Sequence, residues 1–412
     1  MSERTILHCD LNNFFASVEC FHHPEFKNVP MAVCGSVEER HGIVLAKNEE
    51  AKKYGVKTAQ PVWEAKLVCP ELVIAEPHYD EYLRFSSLVR KIYEEYTDLV
   101  EPFGIDECWL DVTGSLMLFG SGEKIAETLR RRVKKEIGLT ISVGVSFNKI
   151  FAKLGSDLKK PDAVTVIPKN GFRDIVWPLK IEEMIGVGRS TKKSLNSIGV
   201  YTLGELAACD SKWIQKILGK NGYLLWRYAN GNDDSQVQRT DFSMPAKSVG
   251  HGVTTTSDIC RNETAKAILL ELSQDIGRRL ASQEKFACKV SVTARMTDLT
   301  HISWQTDLPT ATRSPMIIAD TAYRLFSGSY EWTRPVRALT VTAFALVDNG
   351  FSCQTDLFND THTLDKMEKA DDCIMQIRRR FGDSMIKNAL LLSPVPIPET
   401  KSVVSLPGGI PR

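Results

Sequence analysis

The sequence predicts a multidomain α+β protein. Its 412 residues exceed the roughly 250 at which single cores stop growing. Strand and helix patterns alternate through the first 168 residues and return from 247 to 350, with a glycine-punctuated helical stretch between. Apolar content of 43% and charged content of 25% are those of an ordinary globular chain, which excludes disordered and fibrous classes. A formal net charge of +1 decides nothing about partners, because a local basic surface can hide in a near-neutral total.

Thr5-Ile6-Leu7-His8-Cys9 reads as a buried strand that runs into a helix around Phe14 to Val18. Short strands are predicted at Met31 to Cys34 and Gly42 to Leu45, with helices near Asn48 to Tyr54, Val62 to Val68 and Asp80 to Tyr96. In EPFGIDECWLDVTG the residues after the acidic pair alternate, with Cys108, Leu110 and Val112 on one face. That predicts one arm of a hairpin bending near the acids. A basic helix from about Glu123 to Glu136 and a strand Thr140 to Val145 complete the unit. From about Lys169 to Asn230 short helices alternate with glycines, and NGNDDSQVQRTD reads as a linker. A second α+β pattern follows: a strand near Lys247 to Thr256, then a helix Glu263 to Leu280 capped by Asn262. Strands Ala287 to Met296 and His301 to Thr306, a helix Pro315 to Phe326 and a strand Val336 to Leu346 complete it. Residues 351–412 read as a polar tail with one helix, Asp365 to Phe381, and no repeat recurs at solenoid periods.

The ten cysteines contain no C-x-x-C pair, and several lie among apolar residues, as in Ala32-Val33-Cys34. Buried thiols in a reducing compartment are expected. Without a signal peptide or about 18 consecutive apolar residues, the chain is expected to be cytoplasmic, with no membrane partner.

Asp10 ends one predicted strand, and Asp106 and Glu107 sit beside another. Burying unpaired charge costs several kcal/mol, so acids at strand ends call for an account. If the strands are neighbours, the three carboxylates repel one another unless a cation sits among them. Hard oxygen ligands suit Mg²⁺, and two such ions can clamp a displacement at phosphorus. Each acid alone reads first as a strand-end or turn residue in water.

The strings HCDLNNFFASVE, FGIDECWLDVTG and SVGVSFNKIFAKLGSDLKKPDA resemble, in order and separation, three motifs of the Y family of lesion-bypass DNA polymerases. The resemblance covers about residues 1 to 350. It implies a right-handed polymerase with a ferredoxin-like palm and small fingers in 1–168 (fingers about 21–77) and a helical thumb in 169–234. A linker at 235–246, an α+β little finger at 247–350 and a tail at 351–412 follow. The activity implied is templated transfer of deoxynucleotides from dNTP to a primer 3′-hydroxyl, at low fidelity and without proofreading. Asp10, Asp106 and Glu107 match the catalytic metal-binding carboxylates for two Mg²⁺ ions, and the carbonyl of Leu11 a further ligand. Phe15 matches the steric gate, a ring that would clash with a 2′-hydroxyl; without the family it reads as a core residue on an amphipathic helix. Lys160, before Pro161, matches a lysine that approaches the triphosphate, and otherwise reads as a solvated helix-end lysine.

The sequence departs from the family pattern at Asn12, where a second acid is usual, and in KNEEAKKYGVKTA. There Glu49 and Lys52 stand where a Tyr and an Arg often grip the triphosphate, and Ala46 replaces a hydroxyl residue. Lys52 supplies charge without the bidentate fork of arginine, so the triphosphate is expected to be bound differently or more weakly.

Ile185-Gly186-Val187-Gly188, followed by Arg189, Lys192 and Lys193, resembles a helix-hairpin-helix whose amides hold a DNA phosphate; a plain helix-helix turn looks the same. Lys289 and Arg295 lie on strands where duplex backbone could run, as they would on a solvated sheet face. Gln354, Leu357 and Phe358 in Q-T-D-L-F resemble the peptide by which bacterial polymerases attach to the sliding clamp. Partners expected are therefore primer-template DNA, dNTP and the clamp, on a monomer. A catalytically weak, polymerase-derived factor that binds DNA and the clamp is the alternative. Another palm-type enzyme, such as a nucleotide cyclase, has no place for the thumb or the clamp peptide.

Overall fold

The computed structural model describes residues 3–37, 40, 42–242, 244–348, 361–382 and 385–392. They divide into two compact units, the first built from 3–35 and 43–242, the second mostly from 244 onward.

The first unit contains strands β1 (Ile6–Leu11), β2 (Met31–Cys34), β3 (Val44–Lys47), β4 (Val73–Ala75), β5 (Val100–Pro102), β6 (Glu107–Asp111), β7 (Ile141–Ser146) and β8 (Val164–Ile167). Five form one sheet in the order β5-β6-β1-β7-β8, and β3-β2-β4 form a smaller one. Strand β1 is central and buried at every position. Side chains alternate across a strand, so Leu7 and Cys9 face a core closed by the helices Tyr79–Glu94 and Gly122–Arg132. Ile6, His8 and Asp10 face the other way, toward the helix Lys149–Leu158. The predicted hairpin is present as β5 and β6, with the acids at its bend. Its second arm is covered on both faces, however: Trp109 and Asp111 are buried alongside Cys108 and Leu110. The Lys149–Leu158 helix covers Trp109, whose indole donates to its Lys149 carbonyl at 3.0 Å.

Residues 172–229 form a cluster of short helices around Leu195, Leu203, Leu206, Ile214 and Leu225. The expected helix-hairpin-helix is asymmetric here, since only a 3₁₀ turn, Ile181–Glu183, precedes the helix Arg189–Asn196. The polar stretch expected as a linker is packed over its first part. Arg4 donates to the carbonyls of Ser235 (2.7 Å) and Asp233 (2.8 Å), Glu101 accepts from the Gln238 amide at 2.9 Å, and Val237 is buried beside Trp109.

The second unit contains β9 (Ser248–Ile259), β10 (Lys285–Met296), β11 (His301–Thr312) and β12 (Val336–Asp348), an antiparallel sheet in the order β11-β10-β12-β9. The helices Asn262–Ser282 and Pro315–Ser329 pack on it around Ile268, Leu272, Val290, Val292 and Phe326. Asn262 is not the cap the sequence predicts. It lies inside the helix start, and its Oδ1 accepts from the Trp332 indole at 2.9 Å, while Arg261 stands at the cap position. The tail helix spans Thr361–Phe381. Among the described residues no disulfide is formed, and no helix is long and apolar enough to cross a membrane.

Candidate active site

Antiparallel pairing of β1 with β6 sets Asp10 opposite Glu107, and the Leu11 amide donates to the Asp106 carbonyl at 3.0 Å. Two neighbouring strands thus bring all three acids to one end of the sheet, with Asp10 and Leu11 buried. The helix laid over this end is fixed by Asn148, whose Oδ1 accepts from the Phe151 amide at 2.8 Å. It contributes Lys153, whose Nζ lies 2.7 Å from Glu107 Oε2. Lys160, just beyond the helix, lies 2.8 Å from Asp10 Oδ2 and 2.7 Å from Asp157 Oδ1. His8, on the same face of β1 as Asp10, places Nε2 3.3 Å from Glu107 Oε2 and Nδ1 2.8 Å from Ser156 Oγ.

Burial, with the Glu107 charge adding to it, holds the Asp10 carboxyl well above its ordinary range despite Lys160. Asp106 is pushed up to about 6, first by burial and then by Glu107. Burial acts upward on Glu107 too, but the His8 contact and the Lys153 ammonium outweigh it and hold this carboxyl below its ordinary range. Burial brings His8 down to about 4, so near neutrality it is an uncharged imidazole. Burial and mutual repulsion therefore oppose joint ionisation of the acids near neutrality, added positive charge favours it, and their hard oxygens suit Mg²⁺. The donor set fits that ion. It is not a ready-made cage: among the described residues no group of three or more His, Cys, Asp or Glu is placed to hold a metal. Two lysines take up carboxylate oxygens instead.

The remaining candidates fall around this end or away from it. Asn12 is buried and structural, donating to Ser142 Oγ at 2.8 Å and accepting from the Asp162 amide at 2.9 Å. Phe15 is half-buried and lies flat on Tyr82. Glu49 accepts from Asn13 Nδ2 at 2.8 Å and stands 3.7 Å from the exposed Lys52, so the carboxylate is already engaged. Lys47 donates to Thr58 at 3.2 Å. Gly188 and Arg189 begin their helix without a side-chain cap, Gly186 has φ +90°, and Lys192 is paired with Glu182 at 2.8 Å. Lys289 pairs with Asp307 at 2.9 Å. Gln354, Leu357 and Phe358 lie outside the described residues.

Sequence reading missed His8, Lys153 and Asp157. A signal existed for each: His8 precedes Asp10 by two on a strand, and Lys153 and Asp157 share a helix face.

The chain matches the profile of the impB/mucB/samB family over residues 9–157 and that family's C-terminal domain over residues 246–357. It is 48% identical to DNA polymerase IV of Acetivibrio thermocellus over 390 residues, covering 95% of this chain and 98% of the relative. DNA polymerase IV 1 of Bacillus subtilis is 36% identical over 391 residues, covering 94% and 93%. A solved chimera of the Y-family DNA polymerases Dbh and Dpo4 superposes with a TM-score of 0.74 at 25% identity, over 84% of this chain and 100% of that one.

Proposed function

The chain belongs to the Y family of translesion DNA polymerases, with polymerase IV-like relatives, and from that premise we propose a two-metal nucleotidyl transfer centred on Asp10, Asp106 and Glu107. Its architecture is the family's palm, fingers, thumb and little finger. Translesion DNA synthesis is its broad activity. The reaction we propose joins dNMP from dNTP to a primer 3′-hydroxyl, at low fidelity and without proofreading. The observation that supports the site most directly is the strand register pairing Asp10 with Glu107.

Asp10, Asp106, Glu107 and the Leu11 carbonyl would hold two Mg²⁺ ions, whose chemistry is to activate the primer hydroxyl and balance charge on the departing pyrophosphate. Lys153 keeps Glu107 ionised and oriented. Lys160 has a second partner in Asp157, so it can exchange Asp10 for a triphosphate oxygen without becoming an unpaired buried charge. Phe15 bars the 2′-hydroxyl. Gly186, Gly188 and Arg189 hold a DNA phosphate, and Gln354, Leu357 and Phe358 attach the chain to the clamp.

Primer extension with Mg²⁺ tests the reading. Wild type extends the primer, and the Asp106→Ala, Glu107→Ala variant does not; extension by both points to a contaminant. Primer binding without synthesis by wild type favours the DNA- and clamp-binding factor instead.

Lys52 is the fingers' contribution to the triphosphate, weakened by Glu49. Glu49→Tyr with Lys52→Arg is expected to lower the KM for dNTP about threefold to tenfold, since a bidentate fork replaces a point charge and a like charge is removed. An unchanged KM removes this segment from nucleotide binding.

A further inference from the structure

Phe15 and Glu19 are four residues apart on the helix Phe14–His22, so they point the same way and reach one neighbour, Tyr82. The Phe15 ring stacks on the Tyr82 ring with centroids 4.2 Å apart and 9° between planes, and Tyr79 meets Phe15 edge-on at 5.9 Å. Tyr82 is fully buried, and its hydroxyl donates to Glu19 Oε1. Glu19 is only 2% exposed, and its two carboxylate oxygens stand 3.0 and 3.1 Å from Nδ1 of His78, the residue before the helix Tyr79–Glu94 that carries Tyr82.

A buried carboxylate is costly unless fully engaged, and a phenylalanine in place of Tyr82 would fill the same space with no polar group to satisfy. The arrangement therefore does something that packing does not require. Stacked rings sit in a shallow well and slide across each other cheaply. A para-hydroxyl fixed to a buried acceptor removes that freedom from Tyr82, and so from the ring lying on it. Burial, with Glu19 adding to it, pushes the Tyr82 hydroxyl far above its ordinary range, so it remains a donor.

We propose that Glu19, acting through Tyr82 and steadied by His78, fixes the Phe15 ring and thereby sets discrimination between deoxyribo- and ribonucleotides. These are positioning residues, and the inference rests on the reading of Phe15 as the steric gate. Repulsion rises so steeply below contact distance that a few tenths of an ångström in ring position decide whether a 2′-hydroxyl is rejected.

The test is single-nucleotide incorporation, read as the ratio of kcat/KM for dNTP to that for the matching rNTP. Phe15→Ala is expected to lower the ratio about a hundredfold or more. Tyr82→Phe keeps the stack and loses the anchor; it is expected to lower the ratio about fivefold, with kcat/KM for dNTP within about threefold of wild type. Glu19→Gln keeps the shape with a weaker acceptor and is expected to move the ratio the same way, about twofold. In the Phe15→Ala background, Tyr82→Phe is expected to add nothing, because its effect passes through the missing ring. If Phe15→Ala collapses the ratio while Tyr82→Phe and Glu19→Gln leave it unchanged, this inference is overturned and the gate stands. An undiminished Tyr82→Phe effect without Phe15 overturns it as well. A ratio unmoved by Phe15→Ala removes the gate and this inference together.

Discussion

Asp10→Asn is expected to cost about a thousandfold or more in kcat for primer extension, while folding stability at neutral pH stays level or rises. The two effects share one cause. Asp10 is buried, faces Glu107 across the strand pair, and has its pKa held well above the ordinary 3.8. A carboxyl whose folded-state pKa is raised stabilises the fold only while protonated. That contribution is fully present below the unfolded pKa and is lost as pH rises through the folded one. Near pH 8 the ionised Asp10 is thus a standing strain on the fold, kept for what it can hold. An amide of the same shape relieves that strain and still offers Lys160 an oxygen, but lacks the charge a divalent cation requires. The thermal midpoint of Asp10→Asn relative to wild type should therefore climb between about pH 4 and pH 8 in metal-free buffer. Primer binding should persist throughout. A variant that loses stability at pH 8, or keeps activity within about tenfold, would show that Asp10 serves the fold and not the chemistry.

How much of this site the sequence disclosed depends on how local each contact is. The acids at the hairpin bend were legible, because the period-two alternation after Glu107 is written in consecutive residues. That Asp10 meets Glu107 required the order β6-β1-β7, which joins segments about a hundred residues apart and leaves no mark in either. The Lys153 to Glu107 pair was hidden for the same reason: it follows from a helix packed on β1, β7 and β8. Asn262 failed in the opposite way. Asparagine opening a helix is a good local cap signal, but Trp332, 70 residues on, claimed its side chain. The supposed linker was misjudged in its first part because polar composition reports solubility. It says nothing of Arg4 and Glu101 waiting to bond its backbone.

Gly144→Ala is expected to be the most damaging single methyl that this part of the fold can receive. A Cβ at Gly144 would lie 1.9 Å from the Ala152 carbonyl oxygen and 2.5 Å from the Ser156 amide nitrogen. Both are backbone atoms of the helix Lys149–Leu158, so no side chain can turn aside, and the whole helix must lift from the sheet. Overpacking a core commonly costs about 1–3 kcal/mol and more where backbone must move, which sets about 3 kcal/mol as the expected loss here. Function should suffer beyond the stability cost. Lys153, Asp157 and Ser156 ride on this helix and Lys160 follows it, so a lift of about 1 Å shifts every cation facing the three acids, enough for about a hundredfold in rate. Gly114→Ala is the control, since no atom lies within 4 Å of its Cβ position and the backbone there is not left-handed. Chemical denaturation and primer extension on both variants decide the matter. If Gly144→Ala matches Gly114→Ala in both, the close approach of helix to sheet is not what sets the lysines against the carboxylates, and the site must tolerate a looser frame than its geometry implies.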